Sequence, residues 1–143
     1  IQKCFNGSYP THSIENNDNQ RSKLISILNV VKPELVFTHW DGDVHHDHVA
    51  LAKITISTCR HIPSLLMYRS NYYESASPYN ANIYYDISEF MELKVSAFKA
   101  YRSEYLRSGK VWIEQMRAMC FLYGSQVGKQ YAEAFNAVRY FQY

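Results

Sequence analysis

Read for the succession of apolar and polar positions, the chain falls into a regular series of elements. Residues 6–20 (NGSYPTHSIENNDNQ) are polar and rich in turn formers, which predicts a loop. In RSKLISILNVVK, Leu24, Ile27, Leu28 and Val31 recur at helical spacing. Pro33 ends that helix, because proline cannot continue the backbone hydrogen-bond ladder. ELVFT is a short apolar, partly β-branched run and predicts a buried strand. DHVALAKITISTCR predicts a helix with Asp47 near its start, where a carboxylate suits unpaired N–H groups. SLLMY predicts a second strand, residues 69–82 a polar, tyrosine-rich surface loop, and NIYYD a further short strand. Asp86 and Glu89 have capping-box spacing and open a long helix with two apolar stripes. Phe90, Ala97 and Tyr101 form one; Met91, Val95, Phe98 and Tyr105 form the other. A break is expected at Ser108-Gly109, followed by the helix VWIEQMRAMCFLYG, with Trp112, Met116, Met119 and Tyr123 on one face and Gly124 as its stop. The tail QYAEAFNAVRYF fits strand and helix equally well.

Helix, strand, loop, helix, strand is the rhythm of an α/β fold with a parallel sheet, whose functional loops lie at the carboxyl ends of the strands. A length of 143 residues accommodates a single domain (1–143) with one core. A net charge of +2 without a basic run argues against nucleic acid and anionic membranes. No apolar run reaches the length of a membrane span, and the start lacks the shape of a signal peptide. Cys4, Cys59 and Cys120 are widely spaced, without C-x-x-C. That excludes a disulfide framework and a zinc finger, and suits a reducing, cytoplasmic setting.

Candidate chemistry is concentrated in FTHWDGDVHHDH (37–48), which holds four of the six histidines and directly follows the first predicted strand. Imidazole nitrogens and carboxylate oxygens are the usual ligands of zinc and similar divalent ions. His45, Asp47 and His48 are too close in sequence for all three to ligate one ion easily, so Asp47 suits a carboxylate that orients a neighbouring imidazole. The segment therefore offers one or two ligands. His12 and His61, without acidic neighbours in sequence, look like poor complements. His39 and Asp43 flank the cluster as candidate substrate contacts, with capping of the loop as the competing reading. Arg69, after the second strand, is a candidate for an anionic part of a substrate, with a surface salt bridge as the competing reading. Tyr72, Tyr73 and Tyr79 are candidates for a sugar-stacking rim, and Lys94 for a structural ion pair.

PELVFTHWDGDVHHDH resembles the second motif of the LmbE-like/PIG-L family of metal-dependent deacetylases, in particular its Asp-x-His-x-Asp-His signature. YYDISEFMELKVSAFKAYRSEY and GSQVGKQYAEAF resemble later segments of the same family, so the likeness extends from about residue 22 to residue 137. The resemblance implies a Rossmann-like, mostly parallel sheet flanked by helices. It also implies hydrolysis of the acetamide of an N-acetylglucosamine-type small molecule, with Zn²⁺ as cofactor; Fe²⁺ also suits such ligands. By motif position, His48 would be the metal ligand, His45 a protonated imidazole stabilising the oxyanion, and Asp47 its carboxylate partner.

Two departures accompany it. The family's His-Pro-Asp-Asp motif, which supplies the remaining ligands and the general base, is absent, and Tyr101 stands where relatives often carry histidine. With Ile1 at the start, the expectation is an N-terminally truncated deacetylase domain, inactive or impaired as this chain alone. The alternatives are a non-catalytic metal- or sugar-binding module of the same fold, and an HD-type metal phosphohydrolase suggested by His46-Asp47. Oligomeric state is left open by the sequence.

Overall fold

The computed structural model describes residues 3–142, which divide into two compact units. The first contains the residues up to Tyr79 together with the segment from Asn136 onward; the second is Asn80–Phe135.

In the first unit, α1 (Asp18–Val31) starts where the Asn17 side chain accepts from the backbone N–H of Gln20. It ends at Lys32, whose left-handed φ of 49° turns the chain into Pro33. β1 (Leu35–His39), α2 (His46–Thr58) and β2 (Ser64–Tyr68) follow as the periodicity predicts. β1 and β2 run parallel, with Leu35 opposite Ser64 and His39 opposite Tyr68. This parallel pair removes the HD-type reading, which requires an all-helical site. The last residues of β4 (Ala132–Arg139) lie antiparallel to β2. The core is built on β2, where Ser64, Leu65, Leu66 and Met67 are all buried, and on Ala50, Ala52 and Ile54 of α2.

β1 is less buried than its composition predicts. Thr38 is buried and meets Thr55 of α2 at 3.2 Å, but Leu35 and Phe37 are 36% and 47% exposed. Side chains alternate across a strand, so α2 covers the Thr38 face and leaves the opposite one open. α1 packs on α2 without burying any residue of its own. Between them and the N-terminal segment lies a cavity of about 930 Å³ lined by Phe5, Tyr9, Leu24, Ile27, Leu51 and Ile54, among others.

The second unit contains β3 (Ile83–Asp86), a 3-10 turn at Ser88–Phe90, α3 (Met91–Ala100), α4 (Arg102–Gln126) and the start of β4. The ambiguous tail is thus a strand, antiparallel to β3 with Ile83 opposite Phe135. The helix break falls at Tyr101 (φ −77°, ψ 73°), and α4 runs straight through Ser108-Gly109. Gly109 makes room for a ring: a Cβ there would come within 2.6 Å of Tyr105. Of the two stripes on α3, the one with Met91 and Val95 is buried, whereas Phe90 and Tyr101 are exposed. Met116 and Cys120 form the inner face of α4. Lys94 pairs with Glu133 of β4. The class is α/β, with helices against the strands of each unit. Among the described residues no helix is long and apolar enough to cross a membrane.

Candidate functional site

The site grows from the carboxyl ends of the parallel strands β1 and β2. After His39, the N–H of Trp40 donates to the carbonyl of Tyr68 at 2.9 Å, prolonging the strand pairing by one step. The Trp40 indole is buried edge-on to Tyr79 and folds over Gly42, where a Cβ would come within 2.3 Å of the ring. Tyr79, expected at a substrate rim, instead anchors this turn and donates to the carbonyl of Met67 at 3.0 Å. The turn delivers Asp43 beneath the first turn of α2.

Asp43 organises the cluster. Its side chain is 1% exposed. Oδ1 accepts from the His45 N–H at 2.8 Å and from Asn71 Nδ2 at 2.7 Å. Oδ2 lies 3.1 Å from His48 Nδ1 and 3.4 Å from Ser70 Oγ. Burial pushes the Asp43 pKa up, but the bonds from His45, His48 and Asn71 outweigh it and hold the carboxyl below its ordinary value. Because a carboxylate only accepts, His48 must carry its proton on Nδ1, which leaves the Nε2 lone pair available.

His39 stacks on His48 with centroids 3.9 Å apart and planes within 5°. Its Nδ1 is 3.2 Å from Ser70 Oγ and its Nε2 is 3.3 Å from Tyr68 Oη. Burial first, and His48 second, push its pKa down to about 4, so the ring is neutral at physiological pH.

His45 is the N-cap of α2, and its Nδ1 accepts from the N–H of Asp47 at 3.2 Å. The Asp47 carboxylate does not return that bond to the ring. It takes the N–H of His12 at 2.7 Å and that of Ile14 at 3.1 Å, pinning the N-terminal segment. The bond from His12 is the main reason its pKa lies below the ordinary carboxylate value. His12, at a left-handed φ of 63°, stacks on His45 with centroids 5.2 Å apart.

His39, Asp43, His45, Asp47 and His48 therefore come together. Arg69 does not join them: its Nη2 donates to the carbonyl of Tyr73 at 2.6 Å and meets Glu74 at 3.4 Å, bracing its own loop. Sequence reasoning passed over Ser70 and Asn71, although their place just after β2 is where an α/β fold keeps functional groups. It also set His12 aside; contact across 33 residues left no local signal. As a donor set, the residues fit a divalent ion in two ways. His48 offers Nε2 with Nδ1 fixed by Asp43, the usual arrangement of a ligating histidine. His12, His45 and Asp47 also form a group that could hold an ion, their ligand atoms lying within 4.8 Å of one another.

No family model matches the chain. Among solved structures, it is similar to a conserved protein from Thermus thermophilus, with a TM-score of 0.82 and 25% identity over 94% of this chain and 65% of that one. It is similar to the N,N'-diacetylchitobiose deacetylase from Pyrococcus horikoshii complexed with its inhibitor MPG, with a TM-score of 0.74 and 21% identity over 91% and 55% of the two chains. A third likeness is to a deacetylase of the teicoplanin biosynthesis pathway, with a TM-score of 0.63 and 17% identity over 85% and 52%. The chain thus spans between 52% and 65% of the length of these proteins. What they establish is the fold: the α/β arrangement of this chain is that of two deacetylases.

Proposed function

We propose that the intact protein containing this chain is a metal-dependent N-deacetylase of an N-acetylglucosamine-type conjugate, in the LmbE-like/PIG-L family. The observation that carries this reading is the Asp43–His48 pair, which reserves a histidine Nε2 for a metal beside a second imidazole at a helix N-terminus. The fold shared with two deacetylases supports it. The chemistry a divalent ion, Zn²⁺ or Fe²⁺, supplies at such a site is activation of water and polarisation of the amide carbonyl.

The remaining work falls to the side chains. His48 would hold the ion through Nε2. His45, accepting at Nδ1, carries its proton on Nε2 and acts as a neutral donor to the oxygen on which negative charge develops. That differs from the cationic imidazole implied by the family resemblance: protonating Nδ1 would cost α2 its cap. Asp47 holds the segment carrying His12 over His45. The family's His-Pro-Asp-Asp residues are not among these 143, so the general base and remaining ligands are assigned to no residue here.

A second placement of the ion, on His12, His45 and Asp47, is favoured by their proximity alone. Two members of that group already have other duties: His45 Nδ1 caps α2, and the Asp47 oxygens accept from two backbone N–H groups. Metal analysis of variants decides between the two. His48→Ala is expected to abolish zinc binding, while His12→Ala retains it. His45→Ala is expected to keep the metal and lower turnover by about 10²–10³, the usual loss for an oxyanion donor. Normal zinc content in His48→Ala would overturn the assignment. So would full deacetylation of an N-acetylglucosamine conjugate by that variant.

A further inference from the structure

His39 ends β1 with both ring nitrogens engaged. A neutral imidazole has one donor and one acceptor, and a serine hydroxyl has one proton to give. One arrangement supplies a proton to each contact of the chain that runs from Tyr68 through His39 and Ser70 to Asp43, and to the Asp43–His48 pair. Tyr68 Oη donates to His39 Nε2, and His39 Nδ1–H donates to Ser70 Oγ. Ser70 in turn donates to Asp43 Oδ2, which also receives His48 Nδ1–H. In the reverse arrangement Ser70 gives its proton to His39, and the Ser70 and Asp43 oxygens then face each other at 3.4 Å without one. The His39 ring, fixed at both ends, lies flat against His48 at 3.9 Å.

We infer that His39 is a positioning residue and not a substrate contact: clamped between Tyr68 and Ser70, it is the platform that fixes the plane of the His48 imidazole and the direction of its Nε2 lone pair. Asp43 holds one edge of His48, and His39 holds its face. An imidazole bonded at a single edge retains rotation about that bond; a flat neighbour held at both nitrogens removes it. Ser70 serves both restraints, because its one hydroxyl touches His39, His48 and Asp43. This rests on the reading of His48 as a metal ligand.

The test measures Zn²⁺ affinity by chelator competition, and the visible absorption of bound Co²⁺, in the intact protein that contains this chain. The variants are His39→Ala, Ser70→Ala, Ser70→Thr and His48→Ala. Groups that orient a ligand through a second hydrogen bond typically contribute 10- to 100-fold in metal affinity. His39→Ala and Ser70→Ala should therefore each weaken Zn²⁺ by about tenfold or more and change the Co²⁺ spectrum. Ser70→Thr, which keeps the hydroxyl, should restore both. If His39→Ala and Ser70→Ala bind both ions like the wild type while His48→Ala does not, the platform role is wrong and the ligand assignment stands. If His48→Ala itself binds normally, both fall. Should His39→Ala fail to fold by circular dichroism, the Ser70 pair alone decides the matter.

Discussion

Asp43 is where the structure makes its most demanding prediction. Replacing it with alanine removes the acceptor for four donors: the His45 N–H, Asn71 Nδ2, His48 Nδ1 and Ser70 Oγ. The first two bonds are short, at 2.8 and 2.7 Å, and the carboxylate is almost entirely buried. A hydrogen bond to a charged group contributes about 1.5–3 kcal/mol net, and a buried donor left without a partner costs about 1–3 kcal/mol. Counting only the two short bonds, Asp43→Ala should destabilise the metal-free protein by about 3–5 kcal/mol. Asp43→Asn separates the structural from the chemical part. Its one amide oxygen can still serve His45 and Asn71, so the loss should be about 1–2 kcal/mol. Its NH₂ group would then face His48 Nδ1, which must accept, moving the ring proton to Nε2. Zinc affinity should fall 10- to 100-fold, on the order of the loss when a ligand's hydrogen-bond partner is removed. Urea unfolding gives the first quantity and chelator competition the second. An Asp43→Ala cost below about 0.5 kcal/mol, within the range of ordinary surface substitutions, would refute the burial argument. Unchanged zinc binding by Asp43→Asn would refute the tautomer argument.

Further outcomes follow from other groups. Asp47→Asn should release the segment at His12 and Ile14, seen as faster amide exchange at those two positions; unchanged protection would mean that the carboxylate does not anchor them. Because the Asp47 pKa is lowered on folding, its contribution is complete above the ordinary carboxylate pKa of about 4 and is lost as pH falls through the folded value. His39 gives a second acid-side effect. With a folded pKa near 4 against 6.5, the unfolded chain binds the extra proton between those values, so metal-free stability should fall on acidification across that window. The slope is at most about 1.4 kcal/mol per pH unit, and its persistence in His39→Phe would exclude this source. Gly124→Ala would bring a Cβ within 2.7 Å of the Lys129 carbonyl oxygen, a backbone atom, and should cost roughly 2 kcal/mol. Gly109→Ala meets only the movable ring of Tyr105 and gains helix propensity, so thermal melting should place it well above Gly124→Ala.

The elements legible in the sequence are those whose signal is local. Periodicity located α1, α2, β1 and β2, and the histidine cluster stood out because its members lie within one turn and one helix start. What sequence could not supply is the reach of side chains between elements. The helix break was expected at Gly109, a residue that makes room for Tyr105, whereas the break at Tyr101 has no glycine or proline to announce it. Asp43 stood in the sequence as a candidate substrate contact or loop cap; only the apposition of β1 and β2 brings Ser70 and Asn71 to it. Asp47 was expected to serve an imidazole, but its carboxylate found two backbone N–H groups more than 30 positions earlier. Arg69, the one candidate in the β2 loop chosen for its charge, turned out to brace that loop, while the uncharged residues beside it entered the cluster.

The bonds from Asp47 to His12 and Ile14 have a thermodynamic corollary. A single carboxylate both orders the N-terminal segment and contributes its charge beside His45, so the two duties share one reservoir of electron pairs. Any cationic ligand that draws on Asp47 competes with the two N–H groups, and any force that loosens residues 12–14 leaves the carboxylate freer to receive that ligand. Occupancy at the cluster and order in the segment are thus reciprocally linked, each able to shift the other by no more than the difference in free energy that Asp47 feels between its two sets of partners.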